Sequence, residues 1–373
     1  MRGDEALGFA RTRRRFLAYI KGGLVALGAT IALALPDAAR ASPGKGPEVF
    51  VHAANSPANT DIQGKIAQFI ISDPRVTGAQ LMIPWSAVDN GSGNFDWSFV
   101  EQSMAPWVKG GKVVGLTFYG VEERTTWNFG KSATPAYVLA QVHKVRCNVA
   151  DEPYLPDVPV YFEPAYADNY KRLIGAVVRH FENDKRVAYL RFGIGVGGES
   201  YPADKLGRDR ACVKQWAGYG LSYERWLQRS LDQIDYIGSL KPKVRILVPF
   251  NNLGTLERPV TGRNTYAETI AEEAAKYGFW VGNAGFGLSD KFHGLYQRMR
   301  SRTSLYAQTG SPSRLQDRAK LPSILAAARQ LHIELLELYA PVWLVAKDPG
   351  NKYYAQHGAA YRAALDSLAQ PEP

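Results

Sequence analysis

The chain has 373 residues, 46% of them hydrophobic, 12% aromatic and 21% charged, which suits one large folded domain or two ordinary ones and excludes a disordered chain. Its formal charge of +10 is carried by scattered basic residues with no stripe that could neutralise a phosphate backbone, so nucleic acid is not an expected partner. Two cysteines are too few for a zinc cage and the six histidines show no ligand spacing, so neither a metal nor an organic cofactor is implied.

The N-terminus reads differently from the rest. Thr12-Arg-Arg-Arg-Phe-Leu17 precedes an apolar segment from Leu24 to Leu35, and Ala39-Arg40-Ala41 offers a small-x-small cleavage site. The apolar segment is too short to span a bilayer. The stretch resembles a twin-arginine export signal. That resemblance implies that residues 1–41 are removed and that residues 42–373 form the mature chain, periplasmic or secreted and not membrane-bound. The first 41 residues hold four of the ten net positive charges; the +6 that remains leaves an acidic glycan open as a partner.

Beyond Pro47 short apolar runs alternate with longer amphipathic ones, the pattern of βα units around a parallel sheet. Strands are expected at Val49–Ala53, Ala79–Pro84, Val113–Tyr119, Val187–Val196, Val244–Pro249, Phe279–Ala284, Ser304–Gln308 and Leu335–Tyr339. Helices are expected at Asp168–Phe181, where Leu173, Ile174, Val177, Val178 and Phe181 recur at helical spacing, and at Tyr223–Leu240, Tyr266–Lys276, Ser323–Leu331 and Gln356–Ala369. Eight strands with intervening helices imply an α/β fold, a (β/α)8 TIM barrel with enlarged βα loops. The alternative is a doubly wound open sheet, but no glycine-rich phosphate loop follows the first strand. The longest insertion, Gly120 to Ala167, would lie over the active face.

The fourth strand runs into Gly193-Ile-Gly-Val-Gly-Gly-Glu-Ser-Tyr-Pro202. Read with period two, Ala188, Leu190, Phe192, Ile194 and Val196 suit the helix layer, while Tyr189, Arg191, Gly193, Gly195, Gly197 and Glu199 face the barrel interior. A regular strand would point Glu199 inward at its C-terminal end, where catalytic groups of such barrels sit, above glycines that leave room in the barrel. In the blander reading Gly197-Gly198 is a turn or bulge and Glu199 caps the next helix.

Pro84-Trp85-Ser-Ala-Val-Asp-Asn-Gly-Ser-Gly-Asn-Phe-Asp-Trp97, Lys112–Tyr119, Thr134–Val138, Val158–Phe162 and the run from Asn169 through Arg186-Val187 to Gly198-Glu199 resemble the corresponding segments of retaining (β/α)8-barrel glycoside hydrolases, the β-galactosidase-like enzymes among them. The likeness covers Ala79 to Tyr201; the remainder agrees in architecture. It implies hydrolysis of a β-linked glycosidic bond in a poly- or oligosaccharide, with Glu199 as general acid/base. Two departures stand out. Gly198-Glu199 replaces the family's Asn-Glu, and the seventh strand ends Tyr306-Ala-Gln-Thr309, where Gln308 cannot be the family's nucleophilic glutamate.

Glycoside hydrolysis needs two carboxyl groups. Glu337, inside the apolar run Leu335-Leu-Glu-Leu-Tyr339, is the best second candidate, as nucleophile or base; a buried carboxylate needs a partner or a role, and pairing with Arg191 is the structural alternative. Asp89, Glu122, Glu123, Glu163 and Asp290 are weaker candidates. Trp85, Tyr119, Trp127, Tyr201, Phe286, Tyr339 and Trp343, with Asn251, Asn252, Asn283 and Gln308, fall at or beyond strand ends and suggest an aromatic, hydrogen-bonding cleft. Cys147 and Cys212 belong to loops after adjacent strands, where a bridge would fasten two cleft-forming excursions. Two other functions use the same residues: a glycan-binding barrel that has lost its nucleophile, and a transglycosylase.

Overall fold

The computed structural model describes residues 46–53, 64–121, 132–145, 158–203, 210–256, 265–287, 290–310 and 320–368. The expected export signal at 1–41, and Glu122, Glu123, Trp127 and Cys147, lie outside them. All eight expected strands form: β1 (Glu48–Ala53), β2 (Gly78–Pro84), β3 (Val113–Tyr119), β4 (Val187–Phe192), β5 (Arg245–Pro249), β6 (Trp280–Phe286), β7 (Leu305–Thr309) and β8 (Leu335–Tyr339). Each pairs in parallel with its sequence neighbours, and β1 pairs with β8 to close the barrel. The fold is a (β/α)8 barrel. No helix among the described residues is long and apolar enough to cross a membrane.

Helices fill the outside: α1 (Ser98–Lys109), α2 (Pro164–Phe181), α3 (Arg210–Gly218), α4 (Tyr223–Ser239), α5 (Tyr266–Lys276), α6 (His293–Met299), α7 (Leu321–Gln330), α8 (Ala340–Lys347) and α9 (Tyr354–Ser367). The expected helix starting at Asp168 begins four residues earlier, because Pro164 sits in the first turn, where a missing N–H costs nothing. α5 starts where expected, on a capping box in which Thr265 and Glu268 satisfy each other's backbone N–H groups. The periodic set Leu173, Ile174, Val177, Val178 and Phe181 is buried as its spacing predicts, against strand residues such as Leu116, Phe118, Leu190 and Phe192 in the same outer core. α1, α3, α6 and α8 were not expected, since each is short or lacks a regular apolar stripe.

The period-two reading holds for the barrel interior at Tyr189 and Arg191, the part of its set that lies within β4. Phe50, Tyr189, Leu247, Trp280, Tyr306 and Leu335 form a buried inner cluster. Gly115 makes room for one of them: a Cβ there would lie 1.9 Å from Tyr189 Cζ. At the N-terminal end of the barrel Arg245 lies 3.9 Å above the Trp280 ring and pairs with Glu48 at 2.7 Å. The next residues along the strands are polar, yet His52, Gln80, Thr117, Arg191, Gln308 and Glu337 are all buried. Burial of so many polar groups demands internal partners, and the barrel supplies them.

Candidate active site

Arg191 on β4 and Glu337 on β8 meet at 3.1 Å. Glu337 is fully buried, and both its oxygens are engaged: Tyr189 donates its hydroxyl to Oε1 at 2.5 Å, while Arg191 takes Oε2. The pairing with Arg191 is therefore the arrangement adopted. Both Nη atoms of Arg191 also donate to Gln308 Oε1 at 3.1 Å, which turns the amide so that Nε2 donates to Tyr339 Oη at 3.2 Å. A neutral acceptor at the end of β7 thus serves both Nη atoms without adding a second charge, while Nε is buried without an acceptor. Burial opposes the guanidinium's charge, but Glu337 together with Tyr306, Glu199 and Tyr189 outweighs it and the pKa of Arg191 rises.

Two residues beside this pair respond to it. His52, its ring tilted against that of Tyr339 at 4.4 Å between centroids, is lowered to about 3 by burial and then by the positive charge of Arg191, so it is neutral under ordinary conditions. Tyr339 is pushed up to about 12, by burial and then by the negative charge of Glu199. Gln80 donates to Thr117 Oγ1 at 2.7 Å and closes the polar layer between β2 and β3.

Glu199 reaches this layer by a route that the period-two reading did not anticipate. β4 ends at Phe192, four residues short of the expected Val196, and the glycines form a tight loop. Gly197 and Gly198 take φ of 60° and 84°, the left-handed region that favours glycine. The loop folds on itself: Ile194 and Gly195 both donate their N–H to the carbonyl of Glu199, and Val196 donates to that of Tyr201. A Cβ on Gly195 would lie 1.9 Å from the Tyr201 carbonyl oxygen. The glycines therefore serve the loop's close self-approach, and the turn reading is the right one for Gly197-Gly198. The turn still brings Glu199 to the polar layer, since its charge acts on Arg191, Tyr306 and Tyr339. Glu199 is half-buried, whereas Glu337 and Arg191 beneath it are closed off.

Ser200 anchors the loop. Its N–H and hydroxyl both donate to Asn251 Oδ1, at 3.1 and 2.9 Å, and its carbonyl accepts from Trp226 Nε1 and Tyr266 Oη at 3.0 and 2.6 Å. Asn251, expected to meet substrate, thus holds the segment next to Glu199.

Of the expected site residues, the fold brings together Glu199, Glu337, Gln308 and Tyr339, with Asn251 one step behind. Others lie elsewhere. Trp85 is fully buried against Tyr166 and Tyr170 and donates its indole N–H to Asp89, so it offers no platform to a ligand. Asp89 is itself buried, accepting also from Tyr137 and Arg172. Trp343 is fully buried and bonded to Asp73, and Phe286 packs in the core against Tyr296. Asn283 spends its amide on the Phe250 carbonyl and the Gly285 N–H. Tyr119 is buried beside Met82 and Ala133, and Tyr201 is half-buried against the outer core. Glu163 pairs with His143 at 2.7 Å. Cys212 is buried on α3. His52, Gln80, Thr117 and Ser200 were missed; strand alternation places the first three inside the barrel, but nothing local marks them as polar partners of one another.

No family model matches the chain, and no curated protein sequence matches it. Solved structures do match. The catalytic domain of the β-amylase from Paenibacillus polymyxa superposes with a TM-score of 0.57 at 12% identity, over 88% of this chain and all of that one. A cold-adapted β-galactosidase from Rahnella sp. R3 gives 0.51 at 11% identity over 87% of this chain, which spans 56% of that enzyme's length. The fold is glycosidase-like. With identities this low the likeness concerns the barrel, and the chemistry has to be argued from the residues at its mouth.

Proposed function

We propose that this protein hydrolyses a glycosidic bond in a poly- or oligosaccharide, β-linked as the resemblance over Ala79 to Tyr201 implies, with Glu199 as the general acid/base. The observation that carries the reading is the placing of Glu199: a half-buried carboxylate at the C-terminal mouth of a closed barrel, above a buried Arg191–Glu337 pair. Protonated, Glu199 would deliver its proton to the leaving oxygen as an oxocarbenium-like transition state forms. Glu337 is the second carboxylate. In the closed pair it lends negative charge beneath the site, and attack or activation of water by Glu337 requires the contact with Arg191 to open. A retaining enzyme would bring the two carboxyl groups to about 5 Å and an inverting one to roughly 6.5–9.5 Å.

The burial of Glu337, together with Gln308 at the end of β7, favours one further reading, a barrel that binds glycans without cleaving them. A transglycosylase would use the same residues and differ in excluding water. The proposal also places the mature chain outside the cytoplasm, released after residue 41, with Cys147 bridged to Cys212; that no described cysteine is free supports the bridge.

The test is to incubate the mature protein with a panel of bacterial and plant polysaccharides and resolve released sugars by mass spectrometry, beside Glu199→Gln and Glu337→Gln. Release by the native protein that both substitutions abolish supports the paired-carboxylate mechanism. Retained binding in all three with no release supports the binding barrel.

A further inference from the structure

Outside the mouth of the barrel the structure holds a second buried cation. Arg229 on α4 is 8% exposed, and it makes no ion pair or hydrogen bond with any described residue; its Nε is buried without an acceptor. The groups whose fields act on it are Tyr166, Tyr170, Tyr266 and Tyr161. These are not counter-charges. Burial raises the hydroxyls of Tyr166, Tyr170 and Tyr266 above their usual range, so they stay neutral wherever the protein works. Trp216, stacked at 5.7 Å on Tyr161, adds another buried donor without an acceptor at Nε1. One acceptor in the neighbourhood lacks a donor, Gln233 Oε1 one helical turn beyond Arg229, but a neutral amide does not balance a full charge.

A buried guanidinium without a counter-charge is costly, and a native interior either pairs such a group or neutralises it. Arginine cannot shed its proton at any ordinary pH. Desolvation by burial lowers the pKa of Arg229, and no described carboxylate offsets it. The hydroxyls of Tyr170 and Tyr266 are spent on the Phe118 and Ser200 carbonyls, so Trp216 supplies the donor and the tyrosines supply apolar ring faces, a setting suited to a small, weakly hydrated anion and unsuited to a metal.

We propose that Arg229 and the surrounding tyrosines form a binding site for a small monovalent anion of about the size of chloride. The same cluster holds the loop of Glu199, since Trp226 and Tyr266 donate to the Ser200 carbonyl and Gln233 donates to that of Gly193 at 3.3 Å. The anion then stiffens the shell behind that loop. The site stands independently of the proposed hydrolysis.

The test uses the full mature protein at constant ionic strength, with sodium chloride or sodium bromide exchanged for sodium gluconate, whose anion is too large for a buried site. A saturable rise in Tm of about 3 °C or more with chloride and bromide but not gluconate is expected, and Arg229→Met should abolish it. Should that variant fail to fold, bromide-soaked crystals give a second readout through an anomalous peak beside the guanidinium. Equal melting in all three salts, or bromide peaks only elsewhere, overturns the proposal.

Discussion

Glu337 and Arg191, 146 residues apart in sequence, meet at 3.1 Å inside the barrel with 0% and 1% of their side chains exposed. Removing one partner strands the other charge, whereas replacing both with apolar groups of similar size can be nearly neutral. Arg191→Met should therefore lower stability by about 3–5 kcal/mol, and Arg191→Met with Glu337→Met should recover part of the loss. Urea unfolding of the two variants checks this; a double variant worse than the single one would count against the pair as described.

The proposed acid role of Glu199 predicts a dependence on the leaving group. With a sugar or alcohol leaving group, Glu199→Gln should reduce kcat by roughly 10²–10⁴-fold. With a dinitrophenyl glycoside, which departs without protonation, the loss should be much smaller. Equal losses on both substrates would remove the acid role.

Gly198 holds φ at 84°, and a Cβ there would lie 2.9 Å from Thr117 Cγ2. Gly198→Ala should cost roughly 1–2 kcal/mol for the backbone alone and should lower turnover by displacing Glu199. Gly218→Ala, where a Cβ meets nothing within 4 Å, serves as the control and should leave turnover unchanged.

His52 predicts a pH effect with a definite sign. Its folded pKa of about 3 lies below the ordinary 6.5, so the unfolded chain binds the proton first. The contribution is present in full above about pH 6.5 and is lost as pH falls towards 3, on the order of 4 kcal/mol over that window. His52→Gln should flatten this part of the stability profile, and the native ring should show no NMR titration between pH 7 and 4. A midpoint near 6.5 would contradict it.

If Cys147 and Cys212 are bridged, a thiol reagent should modify neither in the unreduced, unfolded mature protein, and both after reduction. Labelling of both without reductant would remove the bridge.

The strand and helix pattern was legible because it is local. Short apolar runs along β1 to β8, buried on both faces, and a period of about 3.6 along α2 record the buried surfaces, and alternating strands and helices leave few arrangements that bury both. Alternation also put Tyr189 and Arg191 on the inner face, and Glu337 stood out as a charge inside an apolar run. The sequence marked Glu199 for the right region by the wrong route, since a regular strand and a glycine loop can deliver the same side chain to one place. Only the tertiary structure could separate them: the loop abuts Thr117 on β3 and is held by Asn251 beyond β5, which are close to it in space alone. The same holds for the tryptophans. A strand-end position is read from the chain, but whether the ring faces the cleft or the core depends on the helix packed against it, and Tyr166 and Tyr170 of α2 enclose Trp85. Composition and periodicity determined the barrel; long-range partners decided which of its polar groups are spent on holding it together and which remain at its mouth.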